Sequence, residues 1–320
     1  MWGIAASLAL VACSSTKRDE PPVARAPERA PERATERHVA STIAARDYIG
    51  PDACGECHPE QHALWQTSLH RVMNQPAAPG AVIARPSTLV YRGGTVTLAR
   101  DGERGYTMTF TRGPNAVRYR ITRTIGTRGL QEYVGVVDGT TEEVRLPVGW
   151  WPRRGALYPQ AFFDPWLAED DVDIYAPVRE PWAERCPWCH STYPFEQRIA
   201  RASGPRAIGH GLEQFFVAPA GGPRLALASQ VTPGISCESC HLGGRAHAAG
   251  APIHFVPLGA EPRPDAPAAT TFALERADPA IVNTVCAQCH SGPSPRLPDG
   301  SSTRNSSEAL DLAASPCTTA

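Results

Sequence analysis

Four segments of this 320-residue chain repeat one arrangement, two cysteines separated by two residues and followed at once by histidine. They are Cys54, Cys57 and His58; Cys186, Cys189 and His190; Cys237, Cys240 and His241; and Cys286, Cys289 and His290. Two thiols so spaced can add across the two vinyl groups of one haem, while the next imidazole turns onto the iron as proximal ligand. Paired Cys-x-x-Cys motifs also build tetrahedral zinc sites. Zinc does not demand a histidine after every second cysteine, so the favoured reading is four covalently attached haems c. The eight cysteines are then thioether positions, and the four histidines are proximal iron ligands.

Six further histidines, His38, His62, His70, His210, His247 and His254, are available for the opposite axial position. Helix geometry ranks them. His62 lies one turn after His58 on the same face, hence on the proximal side, and reads as a surface or packing residue. His70 is 12 residues beyond His58, about 18 Å along a continuous helix at ~1.5 Å per residue. Two axial nitrogens on one iron are only about 4 Å apart, so His70 should serve a neighbouring haem unless the helix breaks. His247 follows His241 through Leu242-Gly243-Gly244, a turn that re-aims the chain toward a second haem. His210, between Gly209 and Gly211, and His254 complete the candidate distal ligands, while His38 lies in an N-terminal stalk. Methionine occurs only at Met1, Met73 and Met108. Bis-histidine ligation, or histidine with an open position, is therefore favoured over His/Met and implies lower potentials.

The elements that must carry these groups are unevenly spread. There are 127 residues between His58 and Cys186 but only 46 and 44 between the later motifs. The long interval alternates apolar and polar residues in the strand period, as in Val96 and Leu98, Met108 and Phe110, and Tyr119 and Ile121. Turn signals separate these runs at Gly93-Gly94, Asp101-Gly102, Gly113-Pro114-Asn115 and Asp138-Gly139. The pattern predicts an antiparallel sheet of five or six strands over 87–150. A passage with Trp150, Trp151, Trp166, Trp182 and Trp188 follows, supplying apolar cover for porphyrin faces or ordinary core packing. The expected fold is α+β and loop-rich, a multihaem cytochrome c with short helices around the haem motifs and an inserted antiparallel β-sheet. Its segments are 48–86 for the first motif, 87–150 for the sheet and 151–320 for motifs two to four.

The N-terminal residues point out of the cytoplasm. Trp2 to Ala12 is an apolar run too short to span a bilayer and ends at Cys13, so 1–13 resembles a lipoprotein signal with Cys13 as the lipidated residue. An ordinary signal peptide or N-terminal anchor is the alternative. Residues 14–47, with their Ala-Pro-Glu-Arg repeats, read as a semi-extended stalk reaching roughly 100 Å at ~3.1 Å per residue. A periplasmic or outer-membrane-anchored lipoprotein is expected, held to the membrane through Cys13. The formal net charge of −1 argues for no particular partner; redox proteins are the expected partners, and nucleic acid is not.

The flanks of the motifs resemble multihaem cytochromes of the cytochrome c554 type. The likeness is carried by Tyr48-Ile49-Gly50 before the first motif, Trp65 with Ser68 and His70, Ile125-Gly126 with Leu130-Gln131-Glu132-Tyr133, Ser191-Thr192, and Ser236 with the third motif and His247. It implies closely stacked haems that pass electrons, with His70 and His247 as cross-ligands. Leu242 stands where that family commonly has glycine. Asn305 to Asp311 and Ser315-Pro316-Cys317 resemble a stretch that leads into a further motif in relatives, so four haems is a lower bound. The function expected is electron transfer between redox partners at the cell envelope. The alternative is an oxidoreductase acting on a small nitrogen or sulfur compound at a haem with an open axial position. A lysine in place of the proximal histidine is closed to it, because Lys17 is the only lysine.

Overall fold

The computed structural model describes residues 41–102, 105–160, 173–176, 181–198, 227–255, 279–290, 308–313 and 315. All of them belong to the unit Val39–Ala320. Within it, helix and antiparallel sheet are mixed. Among the described residues nine strands lie between the first and second motifs: β1 Asn74–Pro76, β2 Ser87–Tyr91, β3 Gly94–Asp101, β4 Gly105–Arg112, β5 Asn115–Ile125, β6 Glu132–Val137, β7 Val144–Arg145, β8 Val148–Trp151 and β9 Ala156–Pro159. The first seven make one sheet in the order β2-β3-β4-β5-β6-β7, with β1 added to β5. Strand β4 pairs with β5 as far as Arg120, and β1 takes the same edge from Arg123 to Ile125.

The sheet is larger than the span 87–150 suggests. β1, three residues ending in Pro76, lies before that span and is too short to show alternation, and beyond the sheet a separate two-stranded hairpin, β8–β9, carries the chain on to Pro159. The turn signals fall where the chain reverses. Arg92 and Gly93 both have positive φ, 41° and 74°, the two-residue hairpin turn whose twist suits its strands. Gly113 (φ 59°) opens the turn between β4 and β5.

Alternation puts Val96, Leu98, Met108, Phe110, Tyr119 and Ile121 on one face, where they pack with Tyr133, Leu146, Val148, Trp150 and Leu157. Each such side chain contributes about 1.5–3 kcal/mol by burial. Gln131 braces this core: its amide donates to Ala81 O and Gly126 O, and its oxygen accepts from Ile83 N and Tyr133 Oη. Val134 points to the other face, where it meets Ile125, Trp182, Met73 and Cys186. The second motif is therefore bedded against the sheet.

Helices around the first three motifs are short, whereas the fourth ends a helix of 12 residues. Pro51–Cys57 (α1) and Pro59–Gln66 (α2) each begin with proline at the first helical position, which needs no N–H donor there. Neither helix contains a buried residue. Pro59 also ends α1, so His58 takes φ −122° and ψ 57° and the helix is not continuous to His70. Trp182–Arg185 and Pro187–His190 carry the second motif, a 3-10 turn at Cys237–Ser239 the third, and Pro279–His290 the fourth.

The folded body reaches further toward the N terminus than the 47/48 boundary. Thr42, Ala44, Asp47 and Tyr48 are buried. Ala45 N donates to Glu196 Oε1 (2.7 Å), Glu196 N to Ile43 O (2.8 Å) and Phe195 N to Tyr48 Oη (3.0 Å).

Candidate functional site

The first motif faces a histidine from the third segment. Gly243 adopts φ 54° just after His241, in a space where a Cβ would lie 2.7 Å from Thr42 O. That turn leads into the helix Arg245–Ala248 and carries His247 to His58. The two imidazole centroids are 6.0 Å apart and their planes differ by 12°. Metal–imidazole bonds of about 2.0 Å, with roughly 1.1 Å more to each ring centre, put two axial ligands of one iron about 6 Å apart. His247 Nδ1 meets Ala251 O at 2.8 Å, so Nε2 is the nitrogen left for a metal.

A second pair of the same dimensions joins His70 to the fourth motif. The centroids of His70 and His290 are 6.3 Å apart, with planes at 70°. His290 Nδ1 meets Glu308 Oε2 at 2.7 Å, which again leaves Nε2 as the nitrogen that could take a metal. His70 is held by backbone. Ile235 N donates to His70 O (2.9 Å), and Trp65 Nε1 donates to Ile235 O (2.7 Å). Gly234 (φ 75°) presses so closely on this turn that a Cβ would collide with Arg71 O and stand 3.0 Å from His70 O. Burial lowers the His70 pKa, with the nearby His290 adding to the effect. Neutral imidazole is the ligating form.

The second motif lies in the most enclosed surroundings. Burial pushes the His190 pKa down to about 4; Glu132 opposes this and Arg145 adds to it. Trp182 lies 6.1 Å from His190 by ring centres and is fixed by Trp182 N donating to Glu143 O (2.8 Å). Beside it, Arg123 and Glu143 form an ion pair at 2.9 Å with both side chains largely enclosed. Trp182 Nε1 and Tyr193 Oη are buried donors with no acceptor among the described residues. Burial pushes the Tyr193 pKa up to about 12, keeping its proton in place. A haem propionate is the kind of acceptor these donors suit, which fits the group the motif implies.

The third motif sits among the others. His241 packs on Phe255, centroids 4.4 Å apart, and its pKa is lowered by burial and by His247 and His58. The Cys54 and Cys237 thiols lie beside each other, and this neighbour pushes the pKa of the first up and that of the second down. Glu238, only 1 % exposed, accepts from Ile49 N (3.0 Å), Gly50 N (2.8 Å) and Gly244 N (2.8 Å). Ser239 Oγ meets Thr192 Oγ1 at 2.9 Å, and Ser239 O accepts from Gln288 Nε2 at 2.7 Å.

His62 packs over Gly55, whose added Cβ would meet the imidazole at 3.0 Å, and its Nε2 lies 3.5 Å from Asp52 Oδ1. His254 is partly buried and its pKa is lowered by burial, and among the described residues it makes no ring pair with a motif histidine. His210, His38, Cys13, Cys317 and Trp166 lie outside the described residues. Among the described residues no three His, Cys, Asp or Glu side chains converge as a metal-ion site. No helix among the described residues is long and apolar enough to cross a membrane. Comparison with known protein families, curated proteins and solved structures finds no match.

Sequence reasoning missed Glu238, Ser239, Gln288 and Gly234. The first three occupy the two positions between motif cysteines, which the attachment chemistry leaves unspecified.

Proposed function

We propose that the chain is a multihaem c-type cytochrome that transfers electrons between redox partners at the cell envelope. The observation that carries this reading is the pairing of two motif histidines with imidazoles from distant segments at the span of a single iron. Cys54 and Cys57, Cys186 and Cys189, Cys237 and Cys240, and Cys286 and Cys289 would hold haem covalently, with His58, His190, His241 and His290 as proximal ligands. His247 and His70 complete two of the iron sites. Haem supplies reversible one-electron chemistry when bound, tuned by axial ligand, hydrogen bonding and burial. The chain's own residues orient the imidazoles and bring the motifs together.

Intact-mass measurement of protein exported from a strain competent for c-type maturation tests the attachment. Four haem masses above the polypeptide are expected, and an unmodified mass on exported protein refutes the reading. Parallel imidazole planes split the two iron d orbitals that overlap the ligand π systems, whereas crossed planes leave them nearly degenerate. The oxidised protein should therefore show one rhombic and one strongly anisotropic low-spin EPR signal. A high-spin ferric signal that shifts on adding nitrite or hydroxylamine would favour the oxidoreductase alternative. Tethering through Cys13 predicts that Cys13→Ser releases the protein from the membrane fraction.

A further inference from the structure

The two residues between the cysteines of the third motif reach all three of the other motifs. Glu238 is bonded to Ile49 and Gly50, the residues that lead into α1 and its His58. The same carboxylate is bonded to Gly244, the turn from which the chain proceeds to His247. Both members of the parallel imidazole pair thus hang from one side chain. Ser239 bonds through its hydroxyl to Thr192, two residues after His190, and through its carbonyl to Gln288, inside the fourth motif.

Among the described residues the Glu238 carboxylate accepts from three neutral backbone N–H groups, bonds that strengthen when the acceptor carries a negative charge. In a low-dielectric interior that charge acts strongly on any redox centre beside it. It lies one residue from Cys237, whose thiol contacts that of Cys54. A negative charge stabilises the ferric over the ferrous state, and so lowers the potential of a neighbouring haem.

We propose that Glu238 is a positioning and potential-setting residue: it orients the His58/His247 pair against the third motif, and its charge lowers the potentials of the haems on His58 and His241. The inference rests on the haem reading above. A carboxylate that served folding alone would leave individual potentials unmoved, so the test reads potentials.

The experiment is an EPR-monitored redox titration of the full chain carrying its haems, after intact mass has established four attachments on each variant. In Glu238→Gln the charge is lost and an N–H acceptor becomes a donor. Two of the four potentials should rise by at least tenfold in the reduction equilibrium constant, 59 mV for one electron. The signal of the parallel pair should move with them, while that of the crossed pair stays. Four unmoved potentials, or four equal shifts, overturn the proposal. Glu238→Asp keeps the charge but withdraws it by one methylene, and provides the test should the glutamine variant fail to accumulate. It should displace the parallel-pair signal with potentials within about twofold of the unaltered protein; identity with the unaltered protein in both readouts overturns the proposal. If the unaltered protein carries no haem, the functional reading fails instead, so the two failures are distinguishable.

Discussion

The His58/His247 and His70/His290 pairs share a motif and a span but differ in everything around them. In the first, the planes are nearly parallel and the Nδ1 of His247 meets a backbone carbonyl. In the second, the planes are crossed and the Nδ1 of His290 meets the carboxylate of Glu308. A carboxylate partner makes an imidazole a stronger donor to its metal than a carbonyl does. On the proposed reading the attachment motif would specify only that haem is held, and neighbours several residues or a whole segment away would decide what kind of centre results.

The contrast can be broken most severely at the ligands. His70→Ala should abolish the strongly anisotropic low-spin signal alone, and His247→Ala the rhombic one alone, with four haems still attached by mass. Loss of both signals in either variant would mean that the pairs are not independent. Next in size is Gly234→Ala, because a Cβ at φ 75° meets the backbone of Arg71 and His70. Positive φ alone costs a non-glycine residue about 1–3 kcal/mol. Thermal denaturation should show that loss, and only the crossed pair should be disturbed.

Glu308→Gln sharpens the comparison without removing a ligand. It should raise the potential of the crossed-pair haem by roughly 30–60 mV, a three- to tenfold change in equilibrium constant, and leave the parallel pair where it was. A shift in both would deny Glu308 a local role. The smallest effect is expected from Ser239→Ala. It removes one of several bonds to Thr192, which keeps Gly234 O and the Ser236 backbone. Chemical denaturation should report about 1 kcal/mol, with both EPR signals intact.

The sequence offered His70 and His247 as candidates but not the contrast between their pairs. The count that set His70 apart from the iron of its own segment assumed a continuous helix, while Leu242-Gly243-Gly244 announced a change of direction before His247. The partners were not legible. Pro59 interrupts the helix that the count assumed, and the pairing of His70 with His290 spans most of the chain. Alternation located the central strands because one face is buried, but β1 is too short to show a period and β6 is covered on both faces. Glu238 was invisible for another reason. Its partners Ile49 and Gly50 offer backbone N–H groups, which every residue but proline carries.

The sheet brings its own apolar core, whereas α1 and α2 bury no residue at all. The two parts should therefore mature in sequence. The sheet, whose core includes Ile174, can condense once residues 74–175 have emerged, presenting Val134 and Ile125 as a finished wall against which Trp182 and Cys186 come to rest. The helices bearing the first motif have no such resource, and their exposed flank, including Leu64 at 72 %, must wait for another component. In a cell unable to attach haem, the protein should survive as a protease-resistant sheet with frayed ends, so that the insertion outlasts the chain that surrounds it.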